Sequence, residues 1–276
     1  MKTLSTLRLL PLALIAITAC SPKLGPYSAT NKVYAEQAET FAQTLQKAEP
    51  VVLADSVGRK IPSEWVGTVN FNLRKPNLVI IHYTAQDSAA QTLKTFTLVK
   101  PQVSAHYVIG ADGKIYHMLN DYLRAWHGGV GRWGSVTDIN SSSIGIELDN
   151  NGRAPFNPAQ INSLLALLAQ LKKTYNIPTA NFIGHQDIAP ARKIDPGKLF
   201  PWQLLAQKGF GYWSDDLLEL APDNFDTTTA LRLIGYDTGN YNAAVQAFKN
   251  HFVQQDNLPQ LSQLDLNVLY NVYQKY

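Results

Sequence analysis

Apolar residues fall along this chain in two kinds of run, and their order predicts the architecture. Leu78-Val79-Ile80-Ile81 is short, continuous and β-branched, which marks a strand buried on both faces. It delivers His82, Tyr83 and Thr84 at its carboxyl end. Ile144-Gly145-Ile146-Glu147-Leu148 and Phe182-Ile183-Gly184 read as two further strands. Ala105 to Ile109 and Lys114 to Met118 form a hairpin across Ala111-Asp112-Gly113, with Asp-Gly turn chemistry. Helical spacing covers Ser88 to Val99, ended by Pro101. Asn157-Pro158 supplies an N-cap and a first-turn proline for a helix carrying Ile161, Leu164, Leu165, Leu168 and Leu171 on one face. Strands alternating with helices predict an α/β domain, with helices flanking a mixed central β-sheet, over residues 70–213.

After Trp213 the pattern becomes helical: Thr227 to Ile234, Tyr241 to Phe252 and Ser262 to Gln274. Leu231, Ile234, Ala244, Val245, Phe248, Leu266 and Leu269 suit a miniature core, predicting a small all-α domain over 214–276. Near the other end, Tyr34, Ala38, Phe41 and Leu45 predict a short amphipathic helix before Pro50, preceded by a tether from Ser21 to Asn31. From there to Pro76 no period is visible, and residues 20–69 are expected to be an extension to the main domain.

Composition adds little until the first twenty residues are set aside. Lys2 and Arg8 precede the apolar stretch Leu9 to Ala19, too short for the ~20 residues of a membrane-spanning helix, so residues 1–19 read as a signal peptide. Removing those two cations lowers the net charge from +3 to +1, which gives no electrostatic case for nucleic acid. Ile17-Thr18-Ala19-Cys20 resembles a bacterial lipoprotein box, and Cys20 is the one cysteine, so disulfides are excluded. The resemblance implies acyl chains, palmitate among them, on Cys20. Ser21 in place of aspartate points to the outer membrane, with the protein facing the periplasm.

The chemistry gathers in Gly184-His185-Gln186-Asp187-Ile188-Ala189-Pro190-Ala191-Arg192-Lys193-Ile194-Asp195-Pro196-Gly197. Its prolines forbid a long helix or a strand. The carboxyl ends of parallel strands share one sheet edge, where ligands bind. His82, Glu147 and His185 all leave strands there, and Asp195 returns ten residues later. His82, His185 and Asp195 would make a three-ligand site for one catalytic Zn²⁺. Glu147 is then free to take a proton from water, and Lys193 can oppose a developing oxyanion. Each residue also has a structural reading: a hydrogen-bonded histidine, a solvent-facing glutamate, a turn aspartate before proline.

Val79-Ile80-Ile81-His82-Tyr83-Thr84-Ala85 resembles the first signature of the type 2 N-acetylmuramoyl-L-alanine amidases. Ser104-Ala105-His106-Tyr107, Arg124-Ala125-Trp126-His127-Gly128-Gly129, Ser143-Ile144-Gly145-Ile146-Glu147-Leu148 and the 184–197 loop are similar to the later blocks, in order. The resemblance spans about Leu78 to Trp202. It implies zinc on His82, His185 and Asp195, with Glu147 and Lys193 catalytic. Tyr83, Thr84, Lys193, Trp126, His106 and His127 are the candidate substrate contacts, the last two alternatively structural. His117 and His251 are expected to be structural. The lipobox, this domain and the C-terminal helices together resemble the outer-membrane lipoprotein amidases, the helices being similar to peptidoglycan-binding modules. The segment from Val33 to Val69 matches nothing in that pattern.

The expected activity is zinc-dependent hydrolysis of the amide between N-acetylmuramic acid and L-alanine, in peptidoglycan and muropeptides, by a monomer. A non-catalytic peptidoglycan-binding lipoprotein and a zinc peptidase acting within the stem peptide are the rivals. Gly129-Val130-Gly131-Arg132-Trp133-Gly134 fits a dinucleotide fingerprint only formally, because no strand precedes it.

Overall fold

A computed structural model describes residues 25–276 apart from 48, 50 and 257. The signal peptide and Cys20 lie outside the described residues. The chain divides into two compact units, 1–69 and 70–276. In the first, α1 (Ser28–Gln46) begins within the stretch expected to be tether, and none of its residues is buried. A two-residue antiparallel pair follows, β1 (Leu53–Ala54) with β2 (Lys60–Ile61).

The second unit opens with β3 (Leu78–Tyr83) and α2 (Ala89–Phe96), whose Ser88 side chain accepts from Gln91 N. The hairpin β4 (Tyr107–Ile109) and β5 (Ile115–His117) comes next, then one-turn α3 (Ile139–Ser142) and β6 (Ser143–Leu148). α4 (Pro158–Tyr175) starts where expected, with Asn157 capping Ala159 N. β7 (Phe182–Gly184) leads into one-turn α5 (His185–Ile188), and α6 (Trp202–Gln207) follows. α7 (Thr227–Ile234), α8 (Tyr241–Phe252) and α9 (Gln263–Tyr273) complete the chain.

The sheet order is β5-β4-β6-β3-β7. β3, β4, β6 and β7 run parallel and only β5 is antiparallel, so the sheet is mixed as expected. Side chains alternate between its faces. Val79, Ile81, Ile144, Ile146 and Phe182 pack with Ile161, Leu164, Leu168 and Leu171 of α4 and with Trp202 and Leu205 of α6. On the other face, Leu78, Ile80 and Ile183 share one core with Leu231, Ile234, Ala244, Val245, Phe248 and Leu269 of α7 to α9.

The miniature core expected of the last three helices is therefore one wall of a core shared with the sheet, and Leu266 is only half-buried. Three short helices offer too little apolar surface to bury one another, while the sheet's second face needs a cover. Lys249 of α8 is drawn inside this region, 1% exposed, by Asp265 at 3.0 Å, Asp256 at 2.6 Å and the Gln260 carbonyl at 3.1 Å.

Candidate metal centre and catalytic site

Three strand ends assemble the site. β3 and β6 pair in parallel with His82 opposite Glu147, so both side chains leave the same face at the carboxyl edge. β7 stops at Gly184, and His185 opens the turn of α5. That turn is set by buried Asp187, whose Oδ2 accepts from Gly184 N at 2.7 Å. His251 Nδ1 at 2.8 Å and Tyr236 Oη at 2.8 Å, both from the C-terminal helical region, complete the Asp187 carboxylate. Gln186 N donates to the Asp195 carbonyl at 2.8 Å, which closes the loop and returns Asp195 beside His185.

His82, His185 and Asp195 are all buried and converge. His82 Nδ1 lies 2.9 Å from His185 Nδ1, and Asp195 Oδ2 lies 3.1 Å from each. His185 Nε2 faces the Gly128 carbonyl at 3.0 Å. A carbonyl only accepts, so His185 Nε2 carries a proton, and in the neutral ring that a metal ligand requires Nδ1 is a bare lone pair. A lone pair facing a carboxylate oxygen and a second ring nitrogen at these distances needs positive charge between them. Zinc–ligand distances of about 2.0–2.2 Å are compatible with donors this close together, so the three residues fit a bound cation.

Electrostatics agree with that fit. Burial, reinforced by His185, pushes His82 down to about 4, which keeps the imidazole neutral as ligation requires.

Glu147 behaves in the opposite way. Its Oε2 is buried and, among the described residues, has no hydrogen-bond partner. Burial, with Asp195 adding repulsion and Lys193 opposing it, pushes this carboxyl up to about 8. Lys193 is half-buried, and its charge acts on both His82 and Glu147.

The remaining candidates divide. Thr84 is half-buried at the strand end, donating to the Asn150 carbonyl at 3.4 Å, and Trp126 is 50% exposed on the loop before His127. Tyr83 does not leave the His82 face. As the next residue in the strand it packs against the α4-side core, so close to Gly152 that a Cβ there would sit 2.7 Å from the ring.

His106 corrects its expected role as a substrate contact. It is 0% exposed, and its Nδ1 accepts from Gly145 N at 3.1 Å while Nε2 meets the Leu123 carbonyl at 3.1 Å. His127, 9% exposed, is likewise behind the site, with Nδ1 3.0 Å from His82 Nε2. His117 is exposed and stacked on Tyr107, and His251 is buried between Trp202 and Phe252, both as structural residues.

Sequence reasoning gave no site role to Arg192, Asn140 or Ser143. Arg192 donates to the carbonyls of Gly128 at 2.8 Å and Val130 at 2.6 Å, pinning the loop that also receives the His185 proton. Asn140 Oδ1 accepts from His127 N at 3.2 Å and Gly128 N at 2.8 Å. Arg192 was visible inside the loop, but its partners lie more than sixty residues away along the chain.

Comparison with known proteins follows this geometry. The family model described as N-acetylmuramoyl-L-alanine amidase matches residues 72–198. The N-acetylmuramoyl-L-alanine amidase AmiD of Escherichia coli K12 is 39% identical over 207 residues, 63% of this chain and 74% of that protein. The 1,6-anhydro-N-acetylmuramyl-L-alanine amidase AmpD of Haemophilus influenzae is 42% identical over 103 residues, 37% of this chain and 56% of its own length. The solved structure of E. coli AmiD with the substrate anhydro-N-acetylmuramic acid-L-Ala-D-gamma-Glu-L-Lys aligns with a TM-score of 0.65 at 30% identity, covering 82% of this chain and 98% of that one. Similarity of that extent, running through every strand that carries a site residue, makes this chain a member of the N-acetylmuramoyl-L-alanine amidase family.

Proposed function

We propose that this protein hydrolyses the amide between N-acetylmuramic acid and L-alanine, in peptidoglycan and in muropeptides including 1,6-anhydro forms, with one zinc ion held by His82, His185 and Asp195. The observation that carries the reading is the buried trio of facing donor atoms beside a glutamate oxygen without a partner. When bound, zinc supplies Lewis acidity, which polarises a carbonyl and eases deprotonation of water.

The protein's own groups do the rest. Glu147 Oε2 has no competing hydrogen bond, so it is free to take a proton from the attacking water and return it to the leaving amine. A cation held by His82, His185 and Asp195 would favour the ionised form of the Glu147 carboxyl, as Lys193 already does. Lys193 directs a positive charge toward the carbonyl oxygen as it becomes an oxyanion. Thr84 and Trp126 line the approach and orient the sugar and stem peptide.

The same proposal extends to location. Lys2, Arg8, the apolar stretch to Ala19 and Cys20 support a lipid-anchored protein on the periplasmic side of the outer membrane. Among the described residues no helix is long and apolar enough to cross a membrane. Labelled palmitate on the wild type, absent from Cys20→Ala, is the expected result for the anchor.

Digestion of purified peptidoglycan, followed by mass spectrometry, tests the activity. Free stem peptides beginning with L-alanine should appear, cease with a chelator and return with zinc. Fragments cut inside the stem would indicate a peptidase, and no release with zinc present would leave only a binding protein.

A further inference from the structure

The hydrogen bonds behind His82 run in one direction. The Ile139 carbonyl can only accept, so the Ser143 hydroxyl donates to it at 2.6 Å. With its single proton committed, Ser143 Oγ accepts from His127 Nε2 at 3.1 Å. The His127 proton is therefore on Nε2, and Nδ1 is an acceptor. His82 Nε2, 3.0 Å away, donates to it. What is left on His82 is a bare Nδ1, the atom that faces His185 Nδ1 and Asp195 Oδ2.

The surroundings are shaped for this relay. A Cβ on Gly145 would sit 2.4 Å from His127 Cγ, so the ring occupies the space a side chain would take on β6. Ser143, two residues earlier on the same strand, lies on the same face. Asn140 holds the His127 backbone from the other side.

We propose that His127 is a positioning residue of the metal centre: backed by Ser143 and given room by Gly145, it locks His82 in the form protonated on Nε2, so that Nδ1 is presented to the cation. Partners that fix the tautomer of a ligating histidine support metal affinity. Here the partner is a second neutral imidazole, itself fixed by a hydroxyl that ends on a backbone carbonyl. The proposal rests on reading His82, His185 and Asp195 as the zinc site.

The test compares the full-length wild type with His127→Phe, His127→Asn and Ser143→Ala, measuring zinc affinity by chelator competition. Imidazole ¹⁵N shifts of His82 are recorded in the zinc-free wild type and in zinc-free Ser143→Ala. His127→Phe, which fills the space but cannot accept, should bind zinc about 10–100-fold more weakly. His127→Asn, which keeps an acceptor oxygen, should stay within a few-fold of wild type. Ser143→Ala should weaken zinc binding and give a mixture of His82 tautomers.

The wild-type spectrum should show the His82 proton on Nε2; a proton on Nδ1 would overturn the proposal even if a variant failed to fold. Equal zinc affinity in the Phe and Asn variants would also overturn it, because a space-filling role does not distinguish them. Failure of the wild type to bind zinc, with His82 protonated on Nε2, would sink the zinc reading itself and leave the relay without a metal to serve.

Discussion

Along β3 successive side chains meet very different surroundings. Val79 and Ile81 enter a largely apolar core with α4 and α6. Leu78 and Ile80 start a second face, covered by α7 to α9, which His82 carries on into the catalytic site. On β6 that same face carries Ser143, Gly145 and Glu147. The first face is closed mainly by packing, with Phe182 and Phe210 edge to face at 5.2 Å, and buried Gln160 of α4 donates to the Ile109 carbonyl at 2.8 Å. The second is apolar where α7 to α9 cover it and turns polar toward the carboxyl edge, where directional bonds set the places of His82, His127 and Ser143. Among the described residues Glu147 Oε2 is left without such a bond. A sheet can thus be made stable on one side and reactive on the other, because burying polar groups is tolerable only where each is satisfied or functional.

The sharpest way to break the comparison is Glu147→Ala. It should lower the hydrolysis rate about 10²–10⁴-fold while zinc content and melting temperature hold, as read from a muropeptide assay and metal analysis. Phe182→Ala should do the reverse. It should cost about 3–5 kcal/mol in denaturant unfolding yet leave the activity of the folded fraction close to wild type.

A pH series sharpens the contrast. In zinc-free protein the folded Glu147 titrates at about 8 against an ordinary value of 4.5, so the unfolded chain releases its proton first as pH rises. The stabilisation from a protonated Glu147 is whole below about 4.5 and is lost as pH climbs to about 8. The melting temperature of wild type should therefore fall relative to Glu147→Gln across that window, and a flat difference would reject the shifted carboxyl. The smallest effect belongs to the brace between the second face and the site loop. Tyr236→Phe removes one bond to buried Asp187 and should cost about 1.5–3 kcal/mol of stability by chemical denaturation.

Much of this was legible from the residues alone. A continuous β-rich run marked β3, a short apolar one marked β7, and Asn157-Pro158 marked the start of α4, because caps and periodicity are local. His82, Glu147 and His185 stood out because each lies at the carboxyl end of a strand at one sheet edge, and Asp195 because the loop after His185 returns it ten residues later. His106 and His127 could not be placed in the same way. Their neighbours in sequence say nothing of the Gly145 amide or the Ser143 hydroxyl that face them.

By itself, then, the order of residues determined which segments are strands and helices, and which side chains were available as ligands and base. Only the tertiary structure decided that α7 to α9 share a core with the sheet, that Tyr83 leaves the strand face opposite to His82, and that one imidazole stands behind another. Periodicity reports that a side chain faces inward, whereas the atom it meets there comes from a distant part of the chain. Hydrogen-bond direction, and with it the protonation of His82, exists only once those partners are in contact.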